Sequence, residues 1–419
     1  MDMAGSKELR FGRRVNPLSS ALVLLSILSI TTLFQPYPLF GNINKVFVFL
    51  VFACLVLSFF RMRFHQVYWL ALIALCGLVC FDIYISTWQF TTANDPIYLP
   101  FWFLLMMVFS EGSDQVKEFV STHEIFLKWV VGIWTLIVGV SIFLPSSYGA
   151  GWGDGTYFGS ITHSVFRLAP CACLIQVFTL ALLAMDRKNK NYYLLCQLVP
   201  LYCGFMGGSR TYFAVIALYF IIFLRYFADT KQQFYSYLLG AIFLGSMAFG
   251  LSGIGSKVAA TRYSSSSYFD FWGTLTNGRS AIWETDFKYY FNTDPVSALF
   301  GSGYDMVYKL SLKSKLGAAV YAHNDFINLL IVNGLVGLLL YLIPAVALLK
   351  RFCTQGKASL AAITIVAAIW IVNAMFNMNY TYTCAAIAFG FLPSVIELAS
   401  SKNSSVLCFD CYSHDDASS

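Results

Sequence analysis

The chain has 419 residues, of which 58% are hydrophobic and only 11% charged, with a mean hydropathy of +0.67. Soluble domains carry roughly 25% charged residues, so these values exclude both a water-soluble multidomain enzyme and a disordered chain. They leave a polytopic membrane protein, in which a net charge of +6 serves topology and does not point to nucleic acid.

The basic N-terminus MDMAGSKELRFGRRVNP precedes an apolar run that lacks a small-residue cleavage site, so it reads as an uncleaved first span. Apolar runs then lie near 17–34, 46–60, 67–86, 97–110, 126–145, 164–185, 192–208, 211–227, 237–255, 326–349, 359–377 and 381–398. At about 20 residues per span they predict an all-α protein of about twelve transmembrane helices. Lys7, Arg10, Arg13 and Arg14 precede the first span, Arg61 and Arg63 follow the second, and Arg187, Lys188 and Lys190 follow the sixth. Arg225 and Lys231 follow the eighth, and Lys350, Arg351 and Lys357 the tenth. With strict alternation all these loops share one face, which the positive-inside rule makes cytoplasmic, with both termini inside. The expected organisation is a cytoplasmic N-terminus (1–16), nine spans (17–255), a large periplasmic loop (256–325), three spans (326–398) and a cytoplasmic tail (399–419).

The loop from Ser256 to Asp325 is too aromatic for disorder, with Tyr263, Tyr268, Phe269, Phe271, Trp272, Trp283, Phe287, Tyr289, Tyr290, Phe291, Tyr304 and Tyr308. Within it, Thr276-Asn277-Gly278 reads as a helix entry followed by a helix over Arg279 to Phe291. Trp283, Phe287 and Tyr290 or Phe291 share one face of that helix, as an interfacial helix requires, and Glu284 and Lys288 pair on another. Gly301-Ser302-Gly303-Tyr304 then breaks the structure. No internal repeat is visible, which argues against transporter folds built from duplicated halves.

Three segments place chemistry on the outer face. Gly207-Gly208-Ser209-Arg210-Thr211 joins two apolar helices through almost nothing but an arginine. Arg210 can snorkel to phospholipid headgroups, or its planar fork can grip a phosphate. Arg279 opens a helix, where the dipole disfavours a cation unless an anion is bound, although stacking on loop aromatics is the plainer alternative. Tyr321-Ala322-His323-Asn324-Asp325-Phe326 opens span ten, with Asn324 or Asp325 as cap and His323 able to titrate near neutral pH. His163 and Arg167, four residues apart at the outer end of span six, are expected on one helical face. Asp82 in span three is an intramembrane carboxylate and so a functional suspect. No metal-binding, nucleophile-elbow, Walker or dinucleotide motif appears, and the CxxC of Cys408 and Cys411 near His414 lacks two ligands for zinc.

Twelve spans, a large outer loop before the tenth, GGSR at 207–210, NGRSxxW at 277–283 and AHNDFxNLLxxNGLxG at 322–337 together resemble the O-antigen polymerase/ligase superfamily. That superfamily comprises Wzy-type polysaccharide polymerases and WaaL-type ligases. The resemblance implies a GT-C-like helical fold and a metal-independent, inverting glycosyltransferase without cofactor, in the bacterial inner membrane with its site facing the periplasm. The donor it implies is an undecaprenyl-pyrophosphate-linked oligosaccharide, with a Wzz-type chain-length regulator, a flippase and membrane lipid as partners. Arg210, Arg279 and His323 match its catalytic positions, while His163, Arg167, Asn324, Trp283 and Tyr304 are the candidate substrate-binding residues. NGRSxxW followed by FGSGY, and HNDF, are closer to polymerases than to ligases. A twelve-span transporter or lipid flippase without chemistry is the reading from another class.

Overall fold

The computed structural model describes residues 16–92, 94–150, 156–249, 252, 276, 279–315, 317–354 and 359–402. The basic N-terminal residues, the loop aromatics from Tyr263 to Trp272, and Cys408, Cys411 and His414 lie outside the described residues.

Helices Pro17–Thr31 (α1), Pro38–Arg61 (α2), Gln66–Ile85 (α3) and Asp95–Glu111 (α4) occupy the first four apolar windows. Ser113–Thr122 (α5) was not expected. It is a short amphipathic helix whose Val116, Phe119 and Val120 are buried at i, i+3 and i+4 while Asp114 and Glu118 face outward. Glu124–Ser141 (α6), Val165–Met185 (α7), Lys190–Met206 (α8), Arg210–Phe227 (α9) and Lys231–Phe249 (α10) occupy the next five windows. Between α6 and α7 a two-stranded antiparallel hairpin pairs Tyr148–Ala150 with Thr156–Phe158. The large loop carries Arg279–Asn292 (α11), Pro295–Phe300 (α12) and Met306–Lys313 (α13). Asp325–Val332 (α14), Gly334–Thr354 (α15), Leu360–Phe376 (α16) and Thr383–Lys402 (α17) complete the bundle.

Eight of these helices are long and apolar enough to cross a membrane, and α16 is a shorter apolar helix. The windows near 97–110, 192–208 and 237–255 hold α4, α8 and α10, which fall short of the eight in length or hydropathy. The chain is an all-α polytopic membrane protein.

At the centre α7 packs against α17, and their apolar windows are 94% and 89% buried, against 28% and 22% for α2 and α3. Small side chains permit that contact: Ala169, Cys171, Ala172 and Cys173 on α7, and Cys384, Ala385, Ala386, Ala388 and Gly390 on α17. A Cβ at Gly390 would come within 2.7 Å of the Phe109 ring on α4. Lys117 on α5 ties in by an ion pair to Glu397 on α17 at 3.0 Å.

The tenth window is not one helix. It stops at Asn333 and restarts at Gly334, whose φ of +67° is left-handed. A break inside a membrane protein leaves orphan carbonyls, and here they find partners. Ser302 N–H donates to Ile331 O at 3.0 Å and Gly303 N–H to Val332 O at 3.2 Å. The Phe300–Tyr304 turn therefore splices onto the end of α14, and a Cβ at Gly334 would lie 2.4 Å from the Leu299 carbonyl group. Asn333 Nδ2 donates to Asp82 Oδ2 at 2.5 Å, so the intramembrane carboxylate braces the break from α3.

Candidate functional site

The junction of α8 and α9 turns at Gly208, where a Cβ would meet the Tyr157 ring of the hairpin at 2.2 Å. That close approach fixes the start of α9, so Arg210 stands at its first position. Thr211 Oγ1 donates to the carbonyl of Phe376, the last residue of α16, at 3.2 Å. Arg279, first residue of α11 as the sequence reading places it, donates through Nη1 to the same carbonyl. A basic side chain on the final carbonyls of a helix suits its dipole. The Phe376 carbonyl thus gathers two functional segments at one point.

The third segment is brought in by Trp283, whose indole Nε1 donates to Ala322 O at 2.7 Å. His323 follows with φ of +53°, a left-handed conformation that histidine tolerates better than most residues. Asn324 then caps α14, its Oδ1 accepting from Ile327 N–H at 3.1 Å. Burial, and then the nearby Arg279 guanidinium, push the His323 imidazole down to about 3, and its Nδ1 is buried without a partner. The ring is therefore neutral at physiological pH, and the expectation that it titrates near neutrality fails because the residue is buried beside a cation. Burial also lowers Arg279, whose charge is favoured by Tyr382 and opposed by Arg210. Arg279 is the hub: it acts on Arg210 on one side and His323 on the other.

Beneath His323 lies a buried polar layer. Asp325 Oδ2 accepts from Tyr341 Oη at 2.8 Å and from Asn379 N–H at 3.1 Å, and Trp370 Nε1 donates to Tyr341 Oη at 3.0 Å. Asn328 Nδ2 donates to Tyr380 Oη at 2.7 Å. These bonds lock the start of α14 to the α16–α17 connection, so the Asn324 cap and the left-handed His323 have a rigid floor.

The other sequence candidates distribute themselves around this centre. Trp283 is in it and Asn324 supports it. Tyr304 lies apart, packed with Val307, Tyr308 and Ile331, its backbone N–H held by Ser86 Oγ at 2.8 Å. His163 and Arg167 do not share a helical face, because α7 begins only at Val165 and His163 is a left-handed residue closing a 3₁₀ turn. Arg167 lines a separate cavity of about 540 Å³ that reaches the centre through Tyr382. Of the proposed aromatic face on α11, Trp283 turns inward while Phe287 and Phe291 are exposed and stacked on each other, and Glu284 pairs with Lys288 at 2.6 Å.

Sequence reasoning missed Tyr382, although Asn377-Met378-Asn379-Tyr380-Thr381-Tyr382 is an unusually polar join between two apolar windows. It also missed Asp286, fully buried on α11 with neither carboxylate oxygen bonded, and pushed up to about 7 by burial.

The fold is that of a polytopic helical membrane protein, and Arg210, Arg279 and His323 lie within electrostatic reach of one another through Arg279. A family model described as O-antigen ligase matches residues 195–342, from α8 into α15, a stretch that contains Arg210, Arg279 and His323. Over that stretch, about a third of the chain, the sequence is similar to that family, in agreement with its motifs. No curated protein matches the chain.

Proposed function

We propose that the protein is an inverting, metal-independent glycosyltransferase that elongates a polysaccharide at the periplasmic face of the bacterial inner membrane. It takes a glycan from undecaprenyl pyrophosphate and adds it to a second lipid-linked repeat unit. The observation that carries this reading is Arg279, seated on the Phe376 carbonyl beside Thr211 and within electrostatic reach of both Arg210 and His323. The acceptor hydroxyl oxygen bonds to the anomeric carbon as the bond from that carbon to the pyrophosphate oxygen breaks. The hydroxyl proton passes to a ring nitrogen of His323, and the leaving charge is taken up by Arg210 and Arg279. A pyrophosphate beside Arg279 cancels the positive field that depresses His323, so donor binding itself makes the histidine a better base.

Donor turnover by the full chain in membranes tests the histidine. Asparagine tolerates the left-handed backbone, so His323→Asn keeps the turn, and His323→Gln keeps the length. Both are expected to lose roughly 10²–10⁴ in rate at unchanged membrane abundance. Wild-type turnover in either variant overturns the general-base role. Because the free histidine stays neutral down to about 3, kcat/KM should show no acid limb between pH 8 and 5 from this residue.

The alternative is the sister reaction, a ligase that delivers the glycan to lipid A-core; the matched family model is described as O-antigen ligase, and the match does not separate the two. Deleting the gene separates the two: core plus one repeat marks a polymerase, and core alone marks a ligase.

A further inference from the structure

The cavity of about 540 Å³ beside the centre is walled by Val48, Phe49 and Phe52 of α2, Ile97 and Phe101 of α4, and the first turns of α7. Polar groups interrupt that apolar lining, Lys45, Arg167 and Asn44 among them. Lys45 sits seven residues into α2, roughly 10 Å along a helix long enough to cross a membrane. Arg167 reaches the same space from α7, and neither cation has an acceptor or carboxylate partner among the described residues. Asn44, only 5% exposed, lines the cavity with neither its amide oxygen nor its amide nitrogen bonded among the described residues. Leaving such an amide unsatisfied costs about 1–3 kcal/mol, which a phosphate oxygen and a sugar hydroxyl would relieve. The far wall is Thr381 and Tyr382, and Tyr382 is the residue that acts on Arg279.

We propose that this cavity is the site of the second lipid-linked substrate, whose isoprenyl phosphate is held by Lys45, Arg167 and Asn44. The proposal rests on the glycosyl-transfer reading and extends it. Two arginines already serve the donor pyrophosphate, so a second pair of cations across Tyr382 serves a second anionic head. The apolar walls receive the first isoprene units, and the saccharide extends past Tyr382 toward His323. Phosphate on a flexible lipid suits this geometry, since Arg167 can fork onto two oxygens while Lys45 acts as a point charge.

The test counts lipids bound to the full chain by native mass spectrometry, after reconstitution in phosphatidylcholine nanodiscs with undecaprenyl phosphate as probe. The wild type should hold two undecaprenyl phosphates, and the Lys45→Gln/Arg167→Gln double variant one. Both side chains are exposed and glutamine keeps their bulk, so the core is left intact. In turnover, the same variant should raise KM for lipid-linked acceptor at least tenfold and change kcat less than twofold. Two lipids on the double variant, or a single lipid on the wild type, overturns the proposal. Displacement of the second lipid by equimolar phosphatidylglycerol overturns it in favour of an ordinary headgroup site, and displacement by lipid A overturns it in favour of a ligase acceptor. The Arg210→Ala/Arg279→Ala variant separates the two layers of argument. Should it still hold two lipids while the glutamine variant holds one, the cavity stands and the pyrophosphate role of the arginines falls.

Discussion

The α7–α17 pair and the broken α14–α15 segment are both apolar in sequence and central in the bundle, yet they are held by opposite means. In the first, small side chains let two unbroken helices approach until almost nothing but carbon and sulfur touches; even Cys171 and Cys384 meet as free thiols at 3.5 Å. In the second, a left-handed glycine interrupts the helix and polar groups from two other segments repair it: Asp82, and Ser302 with Gly303. The difference is in what each can carry. Close apolar packing supplies a rigid axis without chemistry. The repaired break ends α14 early and seats its N-terminus, with His323, at the level of Arg279 rather than leaving a continuous helix.

Disabling the repair should therefore do the most damage. Gly334→Ala places a Cβ within 2.4 Å of the Leu299 backbone and demands a left-handed alanine. Strain of this kind together with the lost splice is expected to cost about 3 kcal/mol. The readout is the midpoint of unfolding in mixed micelles alongside donor turnover. Both should fall together, because the break positions α14. A variant with wild-type stability and turnover would show that the interruption is incidental and that the two regions are held alike.

The sequence makes the helical content legible because hydropathy over a span-length window follows what a bilayer requires of the backbone, and each window does hold helix. The start of α11 at Arg279 was legible for a local reason, the turn residues just ahead of it. The break at Asn333 was not, because its hydrogen-bond partners are Ser302 and Gly303, thirty residues away in sequence, and nothing local announces them. Hydropathy is equally silent on which spans are central: α2 averages 2.4 and is 28% buried, while α7 averages 2.2 and is 94% buried. The small residues of α7 and α17 are the signal that would have ranked them. Of the candidate site, the two arginines and His323 were readable from motifs. Lys45 and Asn44 fall ahead of the 46–60 window, in a stretch that the structure shows to be the first turns of α2, and His163 was misplaced because the helix starts two residues later than its spacing to Arg167 suggests.

A pH-dependent effect sharpens the same contrast from the loop side. Asp286 is buried on α11 like a core residue, but unlike Asp82, Asp305 or Asp325 it has no hydrogen-bond donor among the described residues. Asp305 shows the alternative: Phe90 and Thr91 N–H groups and the Thr87 and Thr91 hydroxyls hold its carboxylate well below the usual range. Asp286 is instead pushed up to about 7 by burial alone. The unfolded carboxyl titrates near 3.9, so below that pH both states are protonated and the residue is harmless. Between about 3.9 and 7 the unfolded chain ionises while the folded chain keeps its proton, and stability falls as pH rises. Above 7 the folded carboxylate is charged, buried and unpaired. Asp286→Asn removes that slope, since the amide does not ionise. Its gain over wild type should be near zero at pH 4 and grow to a few kcal/mol by pH 8, at roughly 1.4 kcal/mol per pKa unit. The measurement is a pair of thermal-unfolding series across pH 4 to 8 for the two proteins. Parallel curves would mean that a donor stabilises the Asp286 carboxylate in the folded chain, and that the loop helix, like the repaired break, satisfies its buried polar groups.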